Sequence, residues 1–367
     1  MIFHLAEPDD WAARTDEYVA PSLDSEGFIH LSTADQLDRV AAAIFPGRTD
    51  LVLLTVDERL LPMGVEYEDL SESGEAFPHL YGPVPVSAIT EVSTYRAPES
   101  HDPDRYTHGH HEAVLTAHRA RTAAESAQYL LPRLTRGDRL LDIGCGPGTI
   151  TADLAAIVAP GEVVAIDREP LVVEEARHVA MQRGLDNLAI EVGDGYSLRF
   201  EDDTFDVVHA HQVLHHLSNP VAALAEMRRV ARPGGLVAVR EADYGAMTWY
   251  PEDDRLDRWR EIYHTAARSN GAEPDAGRRL LAWAHAAGFT DVTASASVSL
   301  FADARGRALW SDSWARRMTE SPVAEQAIAE SIASHEELQE VAEAFRAWND
   351  HPDAWFTVLN GEILAIA

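Results

Sequence analysis

The sequence predicts an α/β chain, a largely parallel sheet with helices on both faces, preceded by a small α+β domain. Three observations carry this. Apolar strand-like runs alternate with helical patterns from Arg139 to Arg240, as in a sheet covered on both sides. A glycine-rich turn, Gly144-Cys145-Gly146-Pro147-Gly148, separates one such strand from the next helix. A polar, aperiodic stretch with two prolines, residues 97–105, divides this pattern from a different one before it. At 367 residues the chain exceeds one ordinary core and suits two domains.

The first domain, residues 1–97, shows short apolar or alternating runs at Ile2–Leu5, Phe28–Leu31 and Leu51–Val56, with a helical stretch from Ala34 to Ile44. Residues 98–105 form the expected linker. In the second domain, 106–367, a periodic helix over Glu112–Leu131 precedes a strand at Arg139–Ile143. There follow a helix from Thr149, a strand at Glu162–Ile166, a helix over Pro170–Arg183 and a strand at Leu188–Val192. A strand at Phe205–His209, a helix over Pro220–Ala231 and a strand at Leu236–Arg240, entered through the tight turn Pro233-Gly234-Gly235, continue the series. Beyond Ala242 the alternation breaks. A helix near Arg278–Ala287 leads to a strand-like run at Asp291–Leu300, a helical insertion spans about 304–350, and a hairpin-like pair closes the chain around Asn360-Gly361.

Composition narrows the function classes. There are 61 acids against 30 bases, every base being Arg. Residues 1–100 carry 19 acids and 5 Arg, net −14, which leaves −17 for the rest. Phosphate-backbone binding calls for clustered cations, so no nucleic-acid partner is expected. No apolar run reaches the ~20 residues of a spanning helix, so no membrane partner is expected, and one cysteine, Cys145, fits a reducing, cytoplasmic location. Oligomeric state is not encoded in any recognisable pattern.

The chemistry concentrates at strand ends. In Leu140-Leu141-Asp142-Ile143-Gly144-Cys145-Gly146-Pro147-Gly148-Thr149 the glycines permit close backbone approach to a ligand. A dinucleotide fingerprint requires its third glycine where Thr149 stands, and Asp142 would face a pyrophosphate. A carboxylate there suits a cationic nucleoside such as S-adenosyl-L-methionine. Asp167 ends the second strand, placed for vicinal ribose hydroxyls, and Asp194, between Gly193 and Gly195, follows the third, placed for an adenine amine. Of 17 His, eight fall in two clusters, at 108, 110, 111, 118 and at 209, 211, 215, 216. No acidic or Cys partner completes a ligand spacing, so no metal is expected. His216 is read either as a base or substrate contact, or as a packed helix-start histidine; Tyr106 and Tyr244 are further catalytic candidates. Glu241 and Asp243 either face the acceptor or are solvated. Seven of eight Trp lie in the last 120 residues, read either as an aromatic acceptor lid or as helix-core residues.

The stretch Leu140–Glu241 resembles the class I methyltransferases of the ubiquinone/menaquinone-biosynthesis type. The likeness lies in LLDIGCGPG, in AID ending at Asp167, in GDG around Asp194, in FDVVHAHQVLHHL and in RRVARPGGLVAV. The resemblance implies a Rossmann-like methyltransferase sheet binding S-adenosyl-L-methionine and a small-molecule methyl acceptor. It places Asp142, Gly144 and Gly146 at the methionine portion, and Cys145 and Gly148 of the same turn are expected to bind the cofactor as well. It places Asp167 and Arg168 at the ribose and adenine, Asp194 and Gly195 at the adenine, and His211 and Gln212 along the cofactor. The segment 106–111 is similar to an element that folds over the cofactor in one subgroup.

Residues 1–97 resemble a small uncharacterised bacterial domain family through IFHLA, Trp11, DSEGFIHLS and EAFPHLYGP. That resemblance implies the ADP-ribosyltransferase fold, with NAD in a cleft between two small sheets, His30-Leu31-Ser32-Thr33 at the ribose and Glu68 or Glu75 as the late acid. His30, Ser32, His79 and Tyr81 interrupt apolar runs, as in a lined cleft. The whole-chain expectation is a methyltransferase acting on a small molecule. The alternatives are a cofactor-binding sensor or assembly subunit without turnover, and an NAD-consuming activity in the first domain.

Overall fold

The computed structural model describes residues 1–34, 36–45, 48–69, 76–96, 104, 106–107 and 112–367. It divides into two compact units, Met1–Asp102 and Pro103–Ala367.

The first unit orders its elements as β1 (Ile2–Ala6), α1 (Pro8–Ala12), β2 (Glu17–Tyr18), α2 (Pro21–Ser25), β3 (Ile29–His30), α3 (Leu37–Ile44), β4 (Leu51–Val56), β5 (Glu66–Glu68), β6 (Phe77–Leu80), β7 (Val84–Pro85) and β8 (Ile89–Tyr95). Two three-stranded antiparallel sheets result, β1-β4-β8 and β3-β6-β5, with β2 and β7 as a short pair. Alternate residues Ile2, Ile29, Leu54, Val56 and Leu80 fill one core. His4 belongs to that core: its Nδ1 lies 2.7 Å from the His30 carbonyl oxygen and its Nε2 3.0 Å from the Tyr18 hydroxyl.

Burial pushes the His4 imidazole down from 6.5 to about 4, against the backbone bond to His30, which raises it. A histidine whose folded pKa lies below its unfolded value stabilises the fold fully above the unfolded pKa and loses that stability as pH falls towards the folded one. Acidification from pH 6.5 to 4 is therefore expected to remove about 3 kcal/mol from this unit. Hydrogen exchange of the β1 and β4 amides measures it; a His4→Gln variant should show a flatter profile over that window, and an equally steep one would refute the assignment.

In the second unit, α4 (Glu112–Arg119) and α5 (Ala123–Ser126) precede β9 (Leu140–Ile143), α6 (Thr149–Val158), β10 (Val163–Asp167), α7 (Pro170–Gln182), β11 (Leu188–Val192), β12 (Phe205–His211), α8 (Pro220–Val230) and β13 (Ala231–Tyr250). Then come α9 (Asp254–Ser269), α10 (Leu280–Ala286), β14 (Asp291–Phe301), α11 (Ala304–Glu320), α12 (Pro322–Ala329), α13 (His335–Asp350) and β15 (Trp355–Ile366). The seven strands pair in the order β11-β10-β9-β12-β13-β15-β14. The first five run parallel, and β15 is antiparallel to both its neighbours. This is the expected α/β architecture.

The continuous apolar strands follow from burial on both faces. Leu141 and Val208 pack with Leu224 of α8 and Leu280 of α10, while their neighbours Leu140 and Val207 pack with Leu154 and Val158 of α6 on the other face. Order reverses between β10 and β12 around β9, so the tips of β9, β10 and β12 flank the crevice where open α/β sheets bind ligands.

Three expectations are corrected. The helix over Glu112–Leu131 is interrupted after Arg119, because Thr122 caps a new short helix by accepting from Glu125 N at 3.3 Å. The hairpin around Asn360-Gly361 does not exist: β15 runs straight through, hydrogen-bonded on one side to β13 and on the other to β14. Gly361 is there for close approach, since a Cβ on it would sit 2.1 Å from the Gly277 carbonyl oxygen. The strand expected at Leu236–Arg240 extends from Ala231 to Tyr250, with Pro233-Gly234-Gly235 a register shift inside it. The helical segment between β14 and β15 is three helices, α11 to α13. Its tryptophans Trp314 and Trp348 pack with Trp259, Phe345 and Phe356 in a closed aromatic core.

Candidate functional site

A cavity of about 390 Å³ opens at the tips of β9, β10 and β12, a volume suited to a cofactor-sized molecule. Asp142, Asp167 and Asp194 all line it. They reach it by different routes. Asp142 is 3% exposed and faces inward from β9. Its Oδ1 lies 2.7 Å from His209 Nδ1, and its Oδ2 accepts from the Thr151 hydroxyl at the start of α6. The carboxylate is thus held between β12 and α6. His209 and Thr151 have no local sequence signal tying them to Asp142. Asp167 ends β10, accepting from Gly146 N at 2.9 Å and Glu169 N at 3.1 Å. Asp194 follows β11 and accepts from Tyr196 N at 2.9 Å.

The glycine turn is shaped by contacts. Gly144 (φ +69°) has no room for a side chain, because a methyl group there would lie 2.4 Å from Val213 Cγ2. Gly146 (φ +54°) faces open space at the cavity wall. Gly148 does not line the cavity; it caps α6 in the left-handed region and packs against Ala176. Cys145 lines the wall, its thiol pushed well up by burial and by Asp167 and Asp142, so it stays protonated. Gly195 and Arg168 also line the cavity, the latter donating to the Asp104 carbonyl oxygen at 3.2 Å.

Past β12 the chain turns sharply. Gln212 adopts φ +56°, unusual for a side-chain-bearing residue and characteristic of functional turns. Glu241 enforces the turn from β13. Wholly buried, it accepts from Val213 N at 2.9 Å and Leu214 N at 2.8 Å, and its second oxygen lies 2.5 Å from His215 Nδ1. The turn sets His211, Gln212 and His216 on the cavity wall. His211 is held neutral, its pKa well below the usual value through burial and the Arg121 cation. The Tyr106 ring meets that of His216 edge-on at 4.5 Å, and burial pushes its hydroxyl up to about 12.

Several expectations change here. Tyr244, expected as a catalytic candidate, does not line the cavity; its ring stacks on Tyr263 at 4.2 Å within the aromatic core under α9 and α11. Glu241 and Asp243 are neither solvated nor facing a ligand: both are buried, Glu241 against His215 and Asp243 against Arg278. The tryptophans do not line the cavity either. The histidines 108, 110 and 111, and Glu75 of the first unit, lie outside the described residues. Asp104, read as linker, lines the cavity and accepts from Ser218 N at 3.0 Å. Arg121 also lines it, donating to Gln212 Oε1 at 2.8 Å; neither was found from the sequence, since no motif marks them.

The arrangement defines a class. With Gly146 N engaged by Asp167 and five acidic residues, Asp104, Asp142, Asp167, Glu169 and Asp194, lining the crevice, the turn is not free to cradle a pyrophosphate, and the pocket suits a nucleoside that carries positive charge. S-adenosyl-L-methionine fits that description. The comparisons agree. Residues 134–299 match the model of a methyltransferase domain, and residues 5–92 match a protein family of unknown function. An uncharacterized methyltransferase of Schizosaccharomyces pombe is 33% identical over 270 residues, covering 71% of this chain and 95% of that one. The "probable methyltransferase ltbC" of Aspergillus luteorubrus is 28% identical over 278 residues, covering 71% and 97%. A demethylmenaquinone methyltransferase of Beutenbergia cavernae is 34% identical over 141 residues, covering 38% and 55%. The chain belongs to the S-adenosyl-L-methionine-dependent methyltransferases. Among the described residues no helix is long and apolar enough to cross a membrane.

Proposed function

We propose that residues 106–367 transfer a methyl group from S-adenosyl-L-methionine to a small-molecule acceptor in the cavity at the tips of β9, β10 and β12. The observation that carries this reading is the convergence of Asp142, Asp167 and Asp194 on one crevice beside the Gly144–Gly148 turn. The sulfonium of the donor supplies an activated methyl group. The chain's own residues hold and enclose. Asp167 is placed for the ribose hydroxyls and Asp194 for the adenine, with Arg168 and Gly195 beside them. The methionine portion falls to Asp142, Gly144, Cys145 and Gly146, while Gly148 supports the turn from behind.

His216 and Tyr106 form the wall next to His211 and Gln212, where an acceptor meets the donor. At neutral pH the Tyr106 hydroxyl keeps its proton and donates hydrogen bonds. Positioning two reactants and excluding water accounts for most of the rate such a site provides. The acidic surface argues against nucleic acid as acceptor. With methyl-labelled donor and a fractionated cell extract, label is expected in the low-mass fraction. Label confined to protein or nucleic acid would contradict the reading.

For the first unit, the reading of an ADP-ribosyltransferase-like ligand cleft is supported by one cluster. Phe28 packs against His30, His79 and Tyr81, with ring centres 4.8, 4.5 and 5.6 Å away, and the Tyr81 hydroxyl donates to Glu68 at 2.6 Å. Titration of the full chain with NAD tests it: saturable heat abolished by Glu68→Ala is expected, and no heat would end it.

A further inference from the structure

One buried cation is left over by the donor site. Arg317, in the last turns of α11, is 5% exposed. Its Nε is buried with no hydrogen-bond partner, and among the described residues no carboxylate forms an ion pair with it, tyrosines alone acting on its charge. Its guanidinium carbon sits 4.8 Å from the ring centre of Trp314. Elsewhere the chain compensates such groups. Arg240, equally buried at 4% exposed, faces Glu362 at 3.3 Å and the hydroxyls of Ser297 and Ser299. In a protein with 61 acids and 30 bases, a buried arginine without a carboxylate is not explained by a shortage of partners. An uncompensated buried charge is strongly destabilising, so its presence argues for a counter-charge supplied from outside.

Its surroundings locate that counter-charge. Arg317 is not itself among the residues lining the donor cavity, but Tyr106, which is, stands close enough to feel its charge, as do Tyr244 and Tyr263. Helix α11 packs on α4, which leads to Arg121. The donor brings a single carboxylate, and Arg121 on the cavity wall is placed for it. His211, 8% exposed on that same wall, has both ring nitrogens without a hydrogen-bond partner among the described residues. The donor's sulfonium adds a further positive charge beside these groups.

We propose that the methyl acceptor is a small organic oxyanion, anchored by Arg317 behind Tyr106, with His211 donating to the acceptor from the cavity wall. The proposal rests on the methyl-transfer reading above and adds the substrate class. A planar guanidinium pairs with carboxylate and phosphate alike, so both are probed.

The test uses the full chain saturated with S-adenosylhomocysteine, in a buffer free of competing oxyanions. Benzoate, phenyl phosphate and the neutral isostere benzamide are titrated, reading melting temperature and binding heat. At least one of the two anions is expected to stabilise the wild-type complex saturably while benzamide does not; which one acts identifies carboxylate or phosphate. Arg317→Met should weaken that anion by about tenfold or more, with S-adenosylhomocysteine affinity within about twofold of wild type. Because Met fills the space without a charge, the ligand-free variant should melt no lower than wild type. A clear drop in that melting temperature would make Arg317 a structural residue and overturn the proposal. An anion response unchanged in Arg317→Met, an equal response to benzamide, or no response to either anion would also overturn it. Failure of wild type to bind S-adenosylhomocysteine is a separate result, one that removes the parent reading.

Discussion

Replacing Glu241 by alanine is expected to lower stability by about 3–5 kcal/mol and to abolish donor binding in whatever fraction stays folded. Glu241 is fully buried and bonds Val213 N, Leu214 N and His215 at once. Its loss strands two backbone donors and a histidine without water to replace them. Those bonds also hold the turn in which Gln212 takes φ +56°. Released, the turn relaxes and withdraws Gln212 and His216 from the cavity. Urea unfolding and titration with S-adenosylhomocysteine measure the two effects. A variant with near wild-type stability and affinity would show that the turn does not depend on Glu241.

Gly144→Ala is expected to weaken donor binding by about 30-fold or more, with only a modest effect on the rest of the fold. The left-handed φ of +69° is unfavourable for alanine by about 1–2 kcal/mol. The new methyl group would also press on Val213 Cγ2 from 2.4 Å, and overpacking of this kind costs about 1–3 kcal/mol. Relief requires moving either the glycine turn or the Val213 turn, and both line the cavity. The double variant Gly144→Ala, Val213→Ala should recover part of the loss, because the clash is removed and the φ strain is not. Full recovery would mean the backbone conformation is unimportant; no recovery would place the damage elsewhere.

What the sequence reveals about the site follows the range of the interactions. Asp167 ends its apolar run, Asp142 stands one residue before the end of its own and Asp194 two residues beyond, so reading the strands delivers them to neighbouring strand ends. The glycines of the turn are equally local. The contacts that hold these groups are not local: Asp142 to His209 spans 67 positions, Arg121 to Gln212 spans 91, and Asp104 to Ser218 spans 114. Nothing in the sequence around Asp104 separates a cavity wall from a linker. Glu241 and Asp243 look like solvated acids because their partners, His215 and Arg278, come from other segments. Asn360-Gly361 imitates a hairpin turn, since glycine serves close packing and turning alike, and only the neighbouring Gly277 decides which. The tryptophan-rich tail signals an aromatic cluster without saying whether it faces a ligand or itself. It faces itself.

The most direct test of the whole account is calorimetric titration of the full chain with S-adenosylhomocysteine, for wild type and Asp167→Ala. Wild type is expected to bind one equivalent with a dissociation constant on the order of micromolar. Asp167→Ala should bind at least about tenfold more weakly, since it loses both the ribose acceptor and the bond that fixes Gly146 N. A folded wild-type chain that gives no binding heat, or an Asp167→Ala variant that binds as tightly as wild type, would contradict the placement of the donor at these strand tips.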